Sequence, residues 1–402
     1  MIRRFAGLAV ALATLTITAC TTAPAQSVAH TDDPHLAVAR QVLSTTPLVD
    51  GHNDLPWVIR RYSDGPFDVH AYDLRSRTPG HTDIPRMREG LVGAKFWSVW
   101  IPARVAGPGA ARVQLEQIDI VHRMIDAYPE AFELALTPDD VERIFQEGRI
   151  ASMIGMEGGH AIENSLGALR TFYDLGARYL TLTHSDHIDW ADACCQAPLH
   201  GGLTEFGREV VREMNRLGML VDLSHVSFQT MHDALDVTEA PVIFSHSSAY
   251  AVTPHGRNVP DDVLRRMADN GGIVMVTFVT VFVNEDLLEW RSLPPEERVG
   301  PEPVATLADV ADHIEHVARV AGMDHVGIGS DYDGATMPEG LDDTSTFPAL
   351  FAELSRRGWS EEDLRKLAGE NILRAWGRAE QVAARLQAER GPSIATIEQL
   401  DG

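Results

Sequence analysis

The sequence predicts an α/β fold in which one domain forms a closed parallel (β/α)8 TIM-like barrel with extra C-terminal helices. Eight short apolar or β-branched segments follow one another between residues 48 and 331. Amphipathic segments with helix-start and helix-stop residues separate most of them, and no linker or short repeat interrupts the series. With 402 residues, of which 44% are apolar, the chain is long enough for one large barrel.

The strands are predicted where β-branched or apolar runs are shorter than a typical helix. Thr204 and Ser227 are expected to cap the starts of two intervening helices, the first of which stops at Gly218. A third helix is expected after Pro260 and before Gly271. The eight predicted strands cover 48–52, 95–101, 152–157, 179–184, 220–225, 241–246, 272–278 and 325–331.

The ends of the chain are predicted to lie outside the barrel, which is assigned to residues 34–390. Residues 359–387 are expected to form helices that cover its outside, and 391–402 form a tail. Residues 1–20 combine Arg3 and Arg4 with a short apolar run that ends at Cys20, a pattern typical of a lipoprotein signal. An ordinary signal cleaved after residues 23–25 is the alternative. Residues 21–33 would be a flexible tether, and either signal predicts an exported protein.

The charge and the cysteines exclude two classes of protein. A formal net charge of -24 without any basic cluster argues against a nucleic-acid partner. Three cysteines cannot build a disulfide framework. Cys194 and Cys195 are neighbours, and their α-carbons are closer than a disulfide prefers, so free thiols are expected. Membrane contact is expected only through a lipid on Cys20, and the oligomeric state is left open, with a homodimer among the options.

Polar residues able to bind a metal or move a proton recur where the predicted strands end. All strand C-termini of a parallel barrel open on one face, which is where barrel active sites lie. Histidines 187, 200 and 255 fall in loops after strands and are weaker candidates. The strand-end candidates are His52, Asp54, Glu157, His184, His225, His246 and Asp331.

The spacing of these residues suggests two neighbouring metal ions. His52 and Asp54 are two residues apart, so strand alternation directs both side chains to the same side. His225 and His246 end successive strands and could bind a second ion, with Glu157 positioned between the two sites. Asp222 should face away from His225, and it is assigned a supporting hydrogen bond.

Seven short motifs, in order and over residues 45–377, resemble the membrane (renal) dipeptidases of the amidohydrolase superfamily. The resemblance implies two zinc ions, one on His52 and Asp54 and one on His225 and His246, bridged by Glu157. It also implies substrate binding by His184 and Arg257 and proton transfer by Asp331. The motifs are VDGHND at 49–54, GMEG at 155–158, TLTH at 181–184, DLSH at 222–225, SHS at 245–247, RN at 257–258 and GSDYDG at 329–334.

Without the resemblance, neither the role of Arg257 nor the choice between Asp331 and Asp333 as proton carrier is decided. With it, the expected reaction is dipeptide hydrolysis by a hydroxide bridging two zinc ions. His184 would stabilise the developing oxyanion, and Arg257 would hold the terminal carboxylate, with D-residues accepted at the second position. Alternatives are a related hydrolase of N-acyl amino acids, lactones or β-lactams, and a peptide-binding lipoprotein with two lobes and no metal cluster.

Overall fold

Parallel strands form the centre of the computed structural model, which describes residues 33–402. The first strand pairs with the second and with the ninth, and the second pairs with the fourth, so eight strands close into a ring. The predicted (β/α)8 barrel is therefore confirmed. The strands are β1 Leu48–Asn53, β2 Val92–Ser98, β3 Phe132–Leu134, β4 Ile150–Glu157, β5 Ala177–Thr181, β6 Leu220–Asp222, β7 Val242–Phe244, β8 Ile273–Val276 and β9 Val326–Ile328.

The structure contains each predicted strand and adds β3, which the sequence analysis missed. This three-residue strand pairs with the start of β4, along the edge where β5 pairs with the end of β4. Its residues, Phe132, Glu133 and Leu134, include a charge and no β-branched side chain, so they do not form the apolar or β-branched run by which the other strands were predicted. Six of the predicted strands end two or three residues earlier than expected. In two of them the polar residue that was placed at the strand end has a left-handed backbone instead: His225 has φ 70° and Asp331 has φ 64°.

Helices follow most of the strands and cover the barrel. Thr204 and Ser227 cap α7 and α8 as predicted, and α7 ends at Gly218, which has φ 83°. The helices are α1 Pro34–Thr45, α2 Leu55–Arg61, α3 Ile84–Glu89, α4 Ala110–Ala127, α5 Pro138–Gln146, α6 Leu166–Asp174, α7 Glu205–Leu217, α8 Phe228–Val237, α9 Asp261–Asn270, α10 Thr280–Val283, α11 Glu285–Ser292, α12 Leu307–Ala321, α13 Phe347–Arg356, α14 Glu361–Arg365, α15 Asn371–Glu389 and α16 Ile397–Leu400.

Alternation along the strands divides the apolar core into two clusters. In β4, Ala151 and Met153 belong to one cluster, whereas Ile150 and Ile154 belong to the other, which includes the covering helices. The first cluster also contains Trp376 of α15, whose ring centroid lies 6.1 Å from that of Phe96 in β2. Helix α15 therefore packs against the side chains of the barrel interior, whereas the sequence analysis expected it on the outside.

The last residues pack back onto the barrel. The Asp401 carboxylate accepts hydrogen bonds from the Thr204 hydroxyl (2.6 Å) and from the backbone N–H of Glu205 (3.0 Å), at the start of α7. Residues 34–402 form one compact unit, without the two lobes expected of a peptide-binding protein. The predicted signal at 1–20 and all of the predicted tether except Asp33 lie outside the described residues. Within 33–402, no helix combines the length and apolar character needed to cross a membrane.

Candidate metal centre

Six of the eight predicted site residues line one cavity of about 420 Å³ at the end of the barrel where the strands terminate, and the other two, His52 and His246, are buried beside Glu157. A larger cavity of about 650 Å³ near Pro47 and Pro138 contains none of them. The smaller cavity is therefore the candidate active site. Its lining comprises Asp54, Trp57, Trp100, Glu157, His184, His225, Arg257, Val279, Phe282, Asp331, Asp333, Gly334 and Ala335.

Glu157, the last residue of β4, is the centre of this cluster. Its Oε1 atom lies 2.9 Å from His225 Nε2 and 3.4 Å from His246 Nε2, and its Oε2 atom lies 3.5 Å from His52 Nε2. Burial alone would raise the pKa of this carboxyl, but the surrounding imidazoles, His52 foremost, hold it well below its usual value. The two oxygens of one ionised carboxylate thus face two different groups of imidazole nitrogens.

His225 and His246 converge from the ends of β6 and β7. Their Nε2 atoms are 2.9 Å apart, and the ring centroids are 5.0 Å apart. Burial lowers the pKa of both imidazoles, to about 3 for His246 and well below the usual value for His225. Both rings are therefore neutral near pH 7, which is the form that donates a lone pair to a metal.

On the other side of Glu157, His52 and Asp54 lie together as predicted. His52 Nε2 is 3.5 Å from Asp54 Oδ2, and it is buried without a hydrogen-bond partner. A buried imidazole nitrogen without a partner is costly unless a ligand completes it. His52, Asp54 and Asp331 place ligand atoms within 4.8 Å of one another, as do His52, Glu157 and His246.

The Nδ1 atoms of two candidate ligands are held by neighbouring side chains. His52 Nδ1 lies 2.9 Å from the Tyr179 hydroxyl, which also donates to the Gly51 carbonyl. His246 Nδ1 lies 2.8 Å from the Ser245 hydroxyl, and that hydroxyl donates to Asp222 Oδ2 (2.6 Å). Such contacts fix the ring and leave Nε2 available as the ligand atom. Asp222 thus makes the supporting contact expected for it.

The two aspartates that the sequence could not distinguish have different surroundings. Asp331 lies beside His52 and Asp54, where burial and then the Asp54 charge hold its pKa well above the usual value. The Asp333 carboxylate accepts a hydrogen bond from the backbone N–H of His81 (2.6 Å). Asp331 is therefore the carboxylate next to the candidate metal ligands.

His184 and Arg257 line the same cavity. His184 Nε2 is 3.8 Å from Glu157 Oε1, and its ring stacks on His225 with centroids 4.4 Å apart. The guanidinium of Arg257 donates to the Ser247 hydroxyl and to the His246 carbonyl, both at 3.2 Å, and lies 5.3 Å from the Phe282 ring centroid. These contacts hold a buried cation at the edge of the cavity, where it can receive an anionic group of a ligand.

Sequence patterns did not reveal Tyr179 and Ser245, which hold two of the candidate ligands, or the tryptophans that surround them. Trp57 and Trp100 pack edge to face, with centroids 4.6 Å apart, and they line the cavity together with the apolar residues Val279 and Phe282. Both tryptophans come shortly after the end of a strand, β1 or β2. The same position after a strand identified the polar candidate residues, so it could also have identified these tryptophans. Of the weaker histidines, His187 and His200 bind the carbonyls of Ala197 and Ile188, and His255 stacks on Phe282.

Comparisons with known proteins agree with this geometry. The family model described as membrane dipeptidase (peptidase family M19) matches residues 36–390. A metallopeptidase described as dipeptidase AC is 31% identical over 83% of this chain and 99% of its own, with a TM-score of 0.75. A metallopeptidase from Rhodobacter sphaeroides, bound to a phosphinate mimic of the dipeptide L-Ala-D-Ala, is 30% identical over the same shares, with a TM-score of 0.74.

The probable dipeptidase PvdM from Pseudomonas aeruginosa shares the fold at 24% identity, over 88% of this chain and 100% of its own, with a TM-score of 0.76. The family model covers almost all of the described chain. The cavity and the side chains that could bind a metal lie within the matched residues. This chain belongs to the membrane dipeptidase family, peptidase family M19, and is a metallo-dipeptidase.

Proposed function

We propose that this chain is a dinuclear zinc dipeptidase that accepts a D-residue at the second position of its substrate. The position of Glu157 is the observation that carries the proposal. One of its oxygens faces His52 and the other faces His225 and His246. A carboxylate shared by two groups of imidazole ligands is suited to two metal ions rather than one.

The donor set fits zinc. Imidazole nitrogens and carboxylate oxygens are usual zinc ligands, and the buried His52 Nε2 has no hydrogen-bond partner among the described residues. His52 and Asp54 would hold one ion, His225 and His246 the other, and Glu157 would join them. The ions would supply acidity to a water molecule and positive charge near the scissile carbonyl.

Three surrounding residues would transfer the proton, stabilise the developing oxyanion and bind the substrate carboxylate. Asp331 would accept the proton of the attacking water and pass it to the leaving amine, because its carboxylate lies beside His52 and Asp54. His184 would donate a hydrogen bond to the carbonyl oxygen as charge develops there. Arg257 would bind the substrate carboxylate through its planar guanidinium, and so restrict cleavage to a bond one residue from the C-terminus.

The proposed stereochemical preference is supported by one relative. The Rhodobacter sphaeroides metallopeptidase, 30% identical to this chain, was solved with a phosphinate mimic of L-Ala-D-Ala. A tetrahedral phosphinate resembles the geometry formed when water attacks a peptide carbonyl. We extend to this chain the acceptance of a D-residue after the scissile bond.

Steady-state kinetics with a panel of substrates tests the proposal. L-Ala-L-Ala, L-Ala-D-Ala and D-Ala-L-Ala are compared with L-Ala-D-Ala amide, an N-acyl amino acid and a β-lactam. We expect turnover of the first two dipeptides and a kcat/KM for the amide lower by about 100-fold, because Arg257 loses its partner. Faster turnover of the N-acyl amino acid or the β-lactam than of any dipeptide would contradict the proposal.

We also propose that the enzyme works outside the cytoplasm, anchored by a lipid on Cys20. The argument rests on the charged start, the short apolar run and the cysteine at residue 20. Metabolic labelling with a radioactive fatty acid should label the full chain, and Cys20→Ser should abolish the label. A labelled Cys20→Ser protein would contradict the anchor.

A further inference from the structure

Cys194 and Cys195 lie in the loop that follows β5, beside the active-site cavity. Both are free thiols, as the sequence analysis expected, and their sulfur atoms are only 2.7 Å apart. Cys194 is buried, whereas Cys195 is exposed and has a left-handed backbone with φ 68°. The pair lines a second cavity of about 420 Å³ together with Phe228, Pro198 and Gly256. A reagent can therefore reach the thiol of Cys195, and the buried thiol of Cys194 lies directly beside it.

The backbone of the pair is joined to two parts of the catalytic site. The Cys194 N–H donates to the carbonyl of His225 at 2.7 Å, and Ala193 forms a β-bridge with Val226. Cys195 Sγ packs so closely on Gly256 that a side-chain carbon there would lie 2.9 Å from the sulfur. Gly256 directly precedes Arg257. The peptide of Cys194 and Cys195 therefore contacts the backbone of His225 and the backbone next to Arg257.

We propose that Cys194 and Cys195 are a reversible oxidation site that controls substrate binding, an inference that rests on the proposed function. The oxidant is a disulfide, either a small molecule or a partner protein. The exposed Cys195 sulfur attacks one sulfur of that disulfide, and the first thiol leaves with the Cys195 proton. The Cys194 sulfur then attacks Cys195, and the second thiol leaves with the Cys194 proton.

The step is balanced: the two cysteines lose two electrons and two protons, and the oxidant disulfide is reduced to two thiols. A disulfide between neighbouring residues needs a backbone change, because adjacent α-carbons are about 3.8 Å apart and disulfides prefer about 5.5 Å. The backbone that must change is that of Cys194 and Cys195, which contacts His225 and Gly256. Strained disulfides are readily reduced, so the modification is reversible.

The effect should appear mainly in substrate binding. The guanidinium of Arg257 is held by the His246 carbonyl and by the Ser247 hydroxyl, and Arg257 directly follows Gly256, on which Cys195 packs. A displacement of the guanidinium by about 1 Å should raise the KM for dipeptides by about tenfold. The Kd for a phosphinate dipeptide mimic should rise by the same factor, whereas kcat should change less.

The test uses the zinc-loaded full chain with Cys20→Ser, in which only the two neighbouring thiols remain. The protein is treated with dithiodipyridine, a disulfide whose released thiol is coloured, and then with a reducing thiol. We expect two released thiols per chain, a protein mass lower by two hydrogen atoms, a higher KM and a weaker phosphinate affinity. Reduction should restore all three protein properties.

Cys194→Ser and Cys195→Ser are the matched controls, since each leaves one thiol. Both should retain the KM of the untreated enzyme and fail to lose two hydrogen atoms. Cys194→Ser should form a stable mixed disulfide on the exposed Cys195, whereas Cys195→Ser, which keeps only the buried thiol, should react far more slowly. Two stable adducts on the parent protein, or a disulfide that leaves both KM and Kd unchanged, would overturn the inference. If the untreated enzyme hydrolyses no dipeptide, the proposed function fails, while the mass and the phosphinate Kd still decide the role of the cysteines.

Discussion

At the residue scale, the position of Glu157 between two imidazole groups explains most of the site. A buried carboxylate is costly unless hydrogen bonds, a neighbouring positive charge or a metal complete the arrangement. Neighbours such as Tyr179 and Ser245 occupy the far nitrogens of His52 and His246 and leave the near nitrogens directed at Glu157. The protein thus holds its candidate ligands in place through contacts of its own.

Asp331→Asn tests the proposed proton carrier. An amide cannot take a proton at neutral pH, so kcat for dipeptides should fall by about 100- to 10,000-fold. Zinc content should stay unchanged, because Glu157 and the three ligand histidines remain. Steady-state kinetics and elemental analysis on the same sample measure both quantities.

Asp333→Asn is the control, because that carboxylate accepts its hydrogen bond from the His81 backbone. It should keep most of the turnover. Full activity in Asp331→Asn together with an inactive Asp333→Asn would reverse the assignment of the proton carrier.

Arg257→Lys tests the carboxylate clamp. Lysine keeps the charge but loses the planar pair of donors, so the KM for dipeptides should rise by about 10- to 100-fold, with a smaller effect on kcat. The KM for a dipeptide amide should be nearly unaffected, because that substrate lacks the carboxylate. An exposed control, Arg265→Lys, should leave the KM for both substrates unchanged. Equal increases in the KM for the dipeptide and for its amide would show that Arg257 supports the structure of the site and does not bind the substrate carboxylate.

At the element scale, the ends of the strands decide where each ligand lies. The sequence identified the eight barrel strands and the polar residue after most of them, because apolar runs and helix caps leave clear patterns. It could not identify β3, whose residues Phe132, Glu133 and Leu134 form no continuous apolar or β-branched run, nor the early strand ends near His225 and Asp331, where the backbone is left-handed. It also missed Tyr179, since a hydroxyl within an apolar strand has no local pattern that reveals its partner.

Gly334 follows the last strand and illustrates how closely the loops approach the site. A side-chain carbon on this glycine would collide with Asp54 Oδ2 and Asp331 Oδ1. Gly334→Ala should therefore displace both carboxylates, lower zinc content, and reduce kcat/KM by about 100-fold. Gly391→Ala, which has open space around it, is the matched control. Normal zinc content and activity in Gly334→Ala would mean that the loop has room to move.

At the scale of the whole molecule, the site exists only because the barrel closes. The residues of the site span the chain from His52 to Asp331, and the pairing of β1 with β9 brings these two regions together. At the opposite end, α15 packs on the interior cluster through Trp376. The fold therefore holds residues distant in sequence within the few ångströms that metal binding requires.

Anomalous diffraction at the zinc absorption edge, from crystals of the zinc-loaded protein, tests the central claim most directly. We expect two peaks in the cavity, one in contact with His52 and Asp54 and one in contact with His225 and His246, with Glu157 touching both. A single peak, or two peaks that do not share Glu157, would contradict the dinuclear zinc centre.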